Sequence, residues 1–392
     1  MKEIKLFEVF AGIGSQHQAL KNIAKAQNWK IKPVGIVEWF RDAIVAYQAI
    51  HCKPVGTKKL EKLACDHLHT ISNDSKRPIS ESTYQKLVNQ PALINNYLNA
   101  SCRNAHNYFD IRHLECLPDQ IDILTYSFPC QDISHQGKQR GFAKNLQTRS
   151  SLLWEIERIL QATKAANLQL PKYLLLENVK AIINHKNRPT FNKWLKRLET
   201  YGYQSQVYLL NAADFGSAQN RQRVFVISVL KEHQRASGFK FIDLEAIQVE
   251  KPKAIKAIIE EQDQTNLWSK FAHYPMIEKP LTKFNIKKTY LANYTNFSSE
   301  AHFYDINYSG PTLTASGAMS RIKIKFTNQK GEDVLRYLNP LEAFRYMGFS
   351  DQAFIKAKST NLISDQKLIY LAGNAISIDC LLYTSPSPRD KF

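Results

Sequence analysis

The sequence predicts a doubly wound α/β domain with a mostly parallel sheet, joined to a small second domain. Three observations carry that prediction. Short apolar runs alternate with amphipathic stretches through the first 230 residues, which is the spacing of a parallel sheet covered on both faces by helices. The first run ends in a glycine-rich turn, and open α/β sheets bind ligands at such strand ends. After Leu230 the alternation stops, and residues 231–335 are richer in Lys, Asn, Thr and aromatics.

Residues 4–10 form an apolar, β-branched run that ends at Ala11-Gly12-Ile13-Gly14-Ser15, and a helical pattern follows through Leu20 and Ile23. Residues 34–37 give a second strand ending at Glu38, and 43–50 an amphipathic helix. The polar stretch 53–108 is expected to form loops and surface helices. Residues 121–126 restore the pattern, followed by a helix over 150–160 and a buried strand over 173–176. Residues 207–210 and 224–227 complete the sheet as an antiparallel pair. Residues 340–347 and 369–376 read as a return to the first domain. The expected division is therefore 1–230 for the first domain, 231–335 for the second, and 336–378 for the return.

Composition narrows the partners. A 392-residue chain that is 44% hydrophobic and 22% charged can build a core, and its mean hydropathy of −0.38 fits neither a membrane protein nor a disordered chain. No run of about 18 apolar residues occurs, and the N-terminus shows no secretory pattern, so a cytoplasmic location without membrane attachment is expected. Lys and Arg number 53 against 35 Asp and Glu, a formal net charge of +18. That balance suits a polyanionic partner. Most of the excess lies after Cys130, which directs the nucleic-acid surface there. The six cysteines include no Cys-x-x-Cys pair, so neither a zinc module nor another metal site is expected, and no disulfide framework either. Cys52, Cys65, Cys102, Cys116 and Cys380 read as ordinary small residues; Cys130 stands apart by its setting.

Gly12, Gly14 and Glu38 satisfy the layout that holds an adenosine-like ligand, with backbone approaching at glycine and a carboxylate accepting from ribose hydroxyls. The third glycine of the dinucleotide fingerprint is lacking. Trp39 can stack on a purine. Ser127-Phe128-Pro129-Cys130-Gln131-Asp132 follows a buried strand, and the proline fixes the approach to the cysteine. Glu177 ends a run of three leucines, where burial would let a carboxyl group hold a proton near neutral pH. A cysteine with such a glutamate suits covalent addition to an electron-poor ring with protonation of a ring nitrogen. Arg221 and Arg223 alternate before a strand, so both are expected on one side, able to hold a phosphate or a carbonyl oxygen. Residues 131–149 read as a polar lid.

Phe10-Ala11-Gly12-Ile13-Gly14, Phe128-Pro129-Cys130-Gln131, Glu177-Asn178-Val179, Gln219-Asn220-Arg221-Gln222-Arg223 and Gly373-Asn374 stand in the order found in DNA cytosine-5 methyltransferases. The sequence resembles that family to about residue 378. The segments Thr148 to Arg158 and Gly310 to Ile324 resemble its CG-specific bacterial members. The resemblance implies a class I, Rossmann-like methyltransferase using S-adenosylmethionine on double-stranded DNA, with residues 231–335 as target recognition domain. A monomer suffices for that chemistry.

By the same resemblance Cys130 is the nucleophile toward C6 of a flipped cytosine, Glu177 engages N3 and the exocyclic amine, and Arg221 and Arg223 hold the flipped nucleotide. Phe10, Gly12, Gly14, Glu38, Trp39, Asp110, Ile111, Phe128 and Asn374 would line the cofactor pocket. Gln136 and Phe297 would enter or open the duplex, and Thr314, Ser316 and Arg321 would read it. An RNA or tRNA cytosine-5 methyltransferase and a truncated, inactive DNA-binding homologue are the rival readings. The family continues into an apolar helix after Gly-Asn, whereas residues 379–392 turn polar and proline-rich, so they read as a non-native tail in place of that helix.

Overall fold

The computed structural model describes residues 2–56, 60–133, 140–146, 148–247, 252–260 and 263–385. The chain divides into two compact units, one of residues 1–210, 222–246 and 381–392, the other of residues 211–221 and 247–380.

The first unit holds a six-stranded sheet ordered β2-β1-β3-β4-β6-β5. Its strands are β1 (Lys2–Val9), β2 (Trp29–Val37), β3 (Ile123–Tyr126), β4 (Tyr173–Val179), β5 (Tyr203–Asn211) and β6 (Gln222–Leu230). β1 pairs in parallel with β2 and β3, and β3 in parallel with β4, whereas β6 runs antiparallel to β4. The order reverses at β1, which opens the crevice where doubly wound sheets take ligands. The helices are α1 (Ser15–Gln27), α2 (Arg41–His51), α3 (Glu81–Asn89), α4 (Leu93–Ala105), α5 (Leu153–Ala165), α6 (Arg188–Thr200) and α7 (Lys231–Ser237). α6 went unread in the sequence although it starts with proline in its first turn and buries Phe191, Trp194 and Leu198 on one face. Phe7, Leu124, Leu174, Leu176, Val224 and Val226 form the sheet side of the main core, with Ile156, Leu160 and Trp194 packed over it.

Two expectations fail in the stretch 53–108. α4 is not a surface helix, because Tyr97 and Leu98 are buried. A disulfide does form, between Cys65 and Cys102, whose Cα atoms lie 6.5 Å apart. The cause is tertiary. Asn96, Asn99 and Cys102 share one face of α4 at three-residue spacing, and the two asparagine amides donate to the carbonyls of Gly56 and Lys62 at 2.6 and 2.7 Å. That docking carries Cys65 to Cys102, which no local spacing reveals.

The second unit contains a five-stranded sheet ordered β11-β10-β9-β8-β7. These strands are β7 (Met276–Glu278), β8 (Lys288–Leu291), β9 (His302–Asp305), β10 (Lys323–Thr327) and β11 (Asp333–Tyr337), with α8 (Trp268–Phe271) before them and α9 (Pro340–Tyr346), α10 (Asp351–Lys358) and α11 (Asp365–Asn374) after. Residues 336–378 join this unit for a visible reason. Buried Arg336 on β11 donates to Glu342 of α9 at 2.6 Å, Glu342 closes a capping box with Asn339, and Arg345 of α9 donates to the Ile258 and Ile259 carbonyls.

α12 (Ile378–Thr384) corrects the reading of the tail. Cys380, Leu381 and Thr384 are buried, so the helix expected to be missing is formed as far as Thr384; Ile378, Leu381 and Leu382 supply its apolar face. The rest of the expected tail, 386–392, lies outside the described residues.

Candidate active site

Register aligns the strand ends that matter. Val9 pairs with Val37 and with Tyr126, and Tyr126 pairs with Leu176. The chain therefore leaves β2 at Glu38, β1 at Phe10, β3 at Ser127 and the core of β4 at Glu177 along one edge of the sheet.

The glycine-rich turn and Glu38 meet directly. The Gly12 amide donates to Glu38 Oε2 at 2.8 Å and the Phe40 amide to Oε1 at 2.7 Å. Burial pushes the Glu38 carboxyl group above its usual range, and those backbone donors pull against it. Gly12 and Gly14 both have left-handed backbone, φ 55° and 75°, which favours glycine. A Cβ on Gly12 would meet nothing within 4 Å, so the turn there is open to a ligand. Phe10 and Trp39 are half-buried beside it. Asp110 is buried, and burial opposes its ionisation, but hydrogen bonds and charge from Arg112 hold the carboxyl group below the usual range. Ile111 is buried, its carbonyl accepting from Arg158 at 3.0 Å. The Phe128 ring lies in the core against Phe142, so its backbone rather than its ring is what borders the edge.

Cys130 is half-buried and is not disulfide-bonded. The segment around it is held from both sides. Ser150 donates to the Pro129 carbonyl at 2.5 Å and accepts from the Asp132 amide at 3.2 Å. Buried Asp132 in turn accepts from Arg140 at 2.8 Å and from the Arg149 amide at 3.1 Å. Glu177 is buried and has two side-chain partners, Ser127 Oγ at 2.6 Å from Oε2 and Arg223 Nε at 3.1 Å from Oε1. The Asn178 amide reaches across to the Phe128 carbonyl at 3.1 Å, locking the two loops together.

The two arginines meet different partners. Arg223 faces Glu177 in the first unit. Arg221 belongs to the second, buried, and donates to the carbonyls of Leu313, Gly373 and Ala375 at 2.7, 3.3 and 2.9 Å. The difference arises because Arg221 precedes β6, outside the ladder that fixes Arg223. Asn374, between two of those carbonyls, is exposed at the end of α11.

Phe297 is 71% exposed, so it is no core aromatic. Thr314 Oγ1 donates to the exposed Ser316 carbonyl at 2.9 Å, and Arg321 pairs with Glu300 at 2.9 Å. Gln136 lies outside the described residues. Among those described, no group of three or more potential metal ligands occurs, and no helix is long and apolar enough to cross a membrane.

Ser127, Asp132 and Ser150 escaped sequence reasoning as site residues. Ser127 and Asp132 sit inside the cysteine motif, but nothing local says that one bonds to Glu177 or that the other meets Ser150, 18 residues on.

The sequence matches the C-5 cytosine-specific DNA methylase family over residues 84–384. It is 40% identical to the orphan methyltransferase M.SssI of Spiroplasma monobiae, covering 97% of this chain and 96% of that protein. It is 33% identical to the type II methyltransferase M2.ScrFI of Lactococcus lactis subsp. cremoris, covering 96% and 97%. Among solved structures the Dnmt2 methyltransferase of S. pombe superposes with a TM-score of 0.56 at 16% identity, covering 97% of this chain and 96% of that one. The Entamoeba histolytica methyltransferase EhMeth gives 0.57 at 16%, with the same coverage. At that identity the likeness is one of fold, an α/β methyltransferase with a mostly parallel sheet.

Proposed function

The chain belongs to the C-5 cytosine-specific DNA methylase family, whose members methylate DNA at cytosine C5, and from that premise we propose that it acts on a flipped-out cytosine at CG with S-adenosylmethionine as cofactor. The observation that carries this reading is the adjacency of the Cys130 loop and Glu177 at neighbouring strand ends, joined through Ser127 and Asn178.

Residues 10–14, Glu38 and Trp39 would hold the cofactor. The open space at Gly12 and the anchored Glu38 carboxylate fit an adenosine group. When bound, S-adenosylmethionine supplies an electrophilic methyl group. The chain's own part is to make C5 a nucleophile. C5 and C6 are unreachable while the base is stacked, so the base must leave the duplex. The Cys130 thiolate adds to C6, its electron pair forming the S–C6 bond while the C5–C6 double bond shifts density onto C5. Glu177 engages N3 and the exocyclic amine, held in place by Ser127 and Arg223. After methylation, water or another base takes the C5 proton, the freed C–H electron pair restores the C5–C6 double bond, and the S–C6 pair leaves on sulfur to return the Cys130 thiolate.

We assign target recognition to residues 231–335 and retain double-stranded DNA as partner, with the net charge of +18 in support. Arg221 keeps its proposed bearing on the nucleotide only indirectly, through the segments whose carbonyls it grips. The test is incubation with unmethylated DNA and labelled S-adenosylmethionine, followed by base-resolution mapping. Label on cytosine C5 within CG is expected, and label confined to tRNA would overturn the DNA reading.

A further inference from the structure

A buried polar cluster beneath the glycine-rich turn takes no part in the chemistry above. Glu8 ends near the top of β1 and is 1% exposed. Its Oε2 accepts from the Tyr47 hydroxyl at 2.6 Å, and its Oε1 from the His17 amide at 3.2 Å. The Tyr47 oxygen lies 3.0 Å from His17 Nδ1. Since the tyrosine proton is committed to Glu8, its oxygen accepts and His17 Nδ1 donates, which leaves His17 Nε2 a buried acceptor without a hydrogen-bond partner among the described residues. The His17 ring stacks on His51 at 4.6 Å between centroids. His51 in turn lies 2.9 Å from the Ile13 carbonyl through Nε2. A carbonyl only accepts, so His51 Nε2 carries the proton.

The cluster thus ends on the turn itself, at the residue between the two left-handed glycines. It also fills the space under Gly14. A Cβ there would stand 2.4 Å from His51 Nε2 and 2.8 Å from Tyr47 Cε2. Four side chains on β1, α1 and α2 hold the turn from below while its upper surface at Gly12 stays open. Burying these polar groups is costly unless they are mutually satisfied, and the end of their network meets the Ile13 carbonyl.

We propose that His51, backed by His17, Tyr47 and Glu8, is a positioning residue for cofactor binding: its Nε2–H fixes the Ile13 peptide so that the turn from Gly12 to Gly14 is preorganised for the adenosyl group. The proposal rests on the S-adenosylmethionine reading. A flexible turn would have to be ordered at the moment of binding, and that cost would appear as lost affinity. Glu8 and Tyr47 act one step further back, holding His17 at the angle that stacks it on His51.

The probe is S-adenosylhomocysteine, titrated into the full chain by calorimetry, with duplex DNA affinity measured alongside. His51→Ala should weaken S-adenosylhomocysteine binding about tenfold, the worth of one well-placed hydrogen bond, with DNA affinity held within about twofold. His51→Gln places an amide N–H near the same point and should restore most of the loss. Should His51→Ala fold poorly, His51→Phe keeps the stacked ring, removes the donor and should show the same tenfold defect. Parental affinity in His51→Phe, or no recovery in His51→Gln, would overturn the positioning role. A parent chain that binds no S-adenosylhomocysteine would instead overturn the cofactor reading, and the proposal with it.

Discussion

Arg223 Nε stands 3.1 Å from Glu177 Oε1, and the pair is largely shielded from water, at 16% and 7% side-chain exposure. The glutamate therefore reaches the strand end with a cation and a hydroxyl already on it, which aims its carboxylate rather than leaving it to rotate. Glu177→Gln keeps the shape and removes the acid. A rate loss of about 10²- to 10⁴-fold is expected where a group assists proton transfer, with S-adenosylhomocysteine affinity unchanged. Single-turnover methylation at the parental rate would reduce Glu177 to a support for β4.

Ser150 touches the peptide groups on both sides of Cys130, donating to the Pro129 carbonyl and accepting from the Asp132 amide. Ser150→Ala leaves two buried groups unpaired, at roughly 1–3 kcal/mol, and frees the Cys130 backbone. Alkylation of the Cys130 thiol in the resting enzyme, compared with Ser150→Thr, reads that freedom without any substrate. The alanine variant should differ from the parent in alkylation rate, and the threonine variant should not. Cys130→Ala should itself abolish methyl transfer and the denaturation-resistant adduct expected with 5-fluorocytosine in the target.

The alternation of apolar runs exposed the order of β1 to β4, because buried parallel strands are written as local hydrophobic blocks. The motif residues Gly12, Glu38, Cys130 and Glu177 were legible because each lies just beyond such a block. Apart from α6, what escaped depends on distant partners. The Cys65–Cys102 bond needs the docking of α4, Arg221 turns to carbonyls about 90 and 150 residues away, and the buried pair Arg336–Glu342 binds the last helices to the second unit. None of these leaves a period or a spacing to read.

Glu8 makes stability depend on pH. Burial raises its carboxyl group from an ordinary 4.5 to about 7, against the pull of the Tyr47 hydroxyl, the His17 amide and Lys21. A raised acid binds its proton more tightly in the folded chain, so its contribution is complete below pH 4.5 and is lost as pH rises through about 7. The shift corresponds to roughly 3 kcal/mol. Urea unfolding of the parent and of Glu8→Gln from pH 5 to 8 should show the parent losing stability relative to the variant across that window. A difference that stays constant with pH would mean that Glu8 is ionised throughout.

Phe297 is exposed, yet its mounting is firm. The Glu300 amide donates to its carbonyl at 2.8 Å, Arg321 pairs with the Glu300 carboxylate at 2.9 Å, and Lys323 donates to the Glu300 carbonyl from between the rings of Tyr294 and Tyr337. An apolar ring standing in water on a braced turn has the form of a wedge for a base step. A wedge opens the duplex but reads no base edge, so Phe297→Ala should slow methylation without changing the sites methylated. Under the proposed function, reading would fall to hydroxyls and amides such as those around Thr314 and Ser316, and a two-base target needs few of them. Base-resolution maps of parent and variant should both show CG in every flanking context, the variant at lower yield. A shifted motif in the variant would make Phe297 a reader, and a longer motif in the parent would overturn CG while leaving the assignment of Cys130 intact.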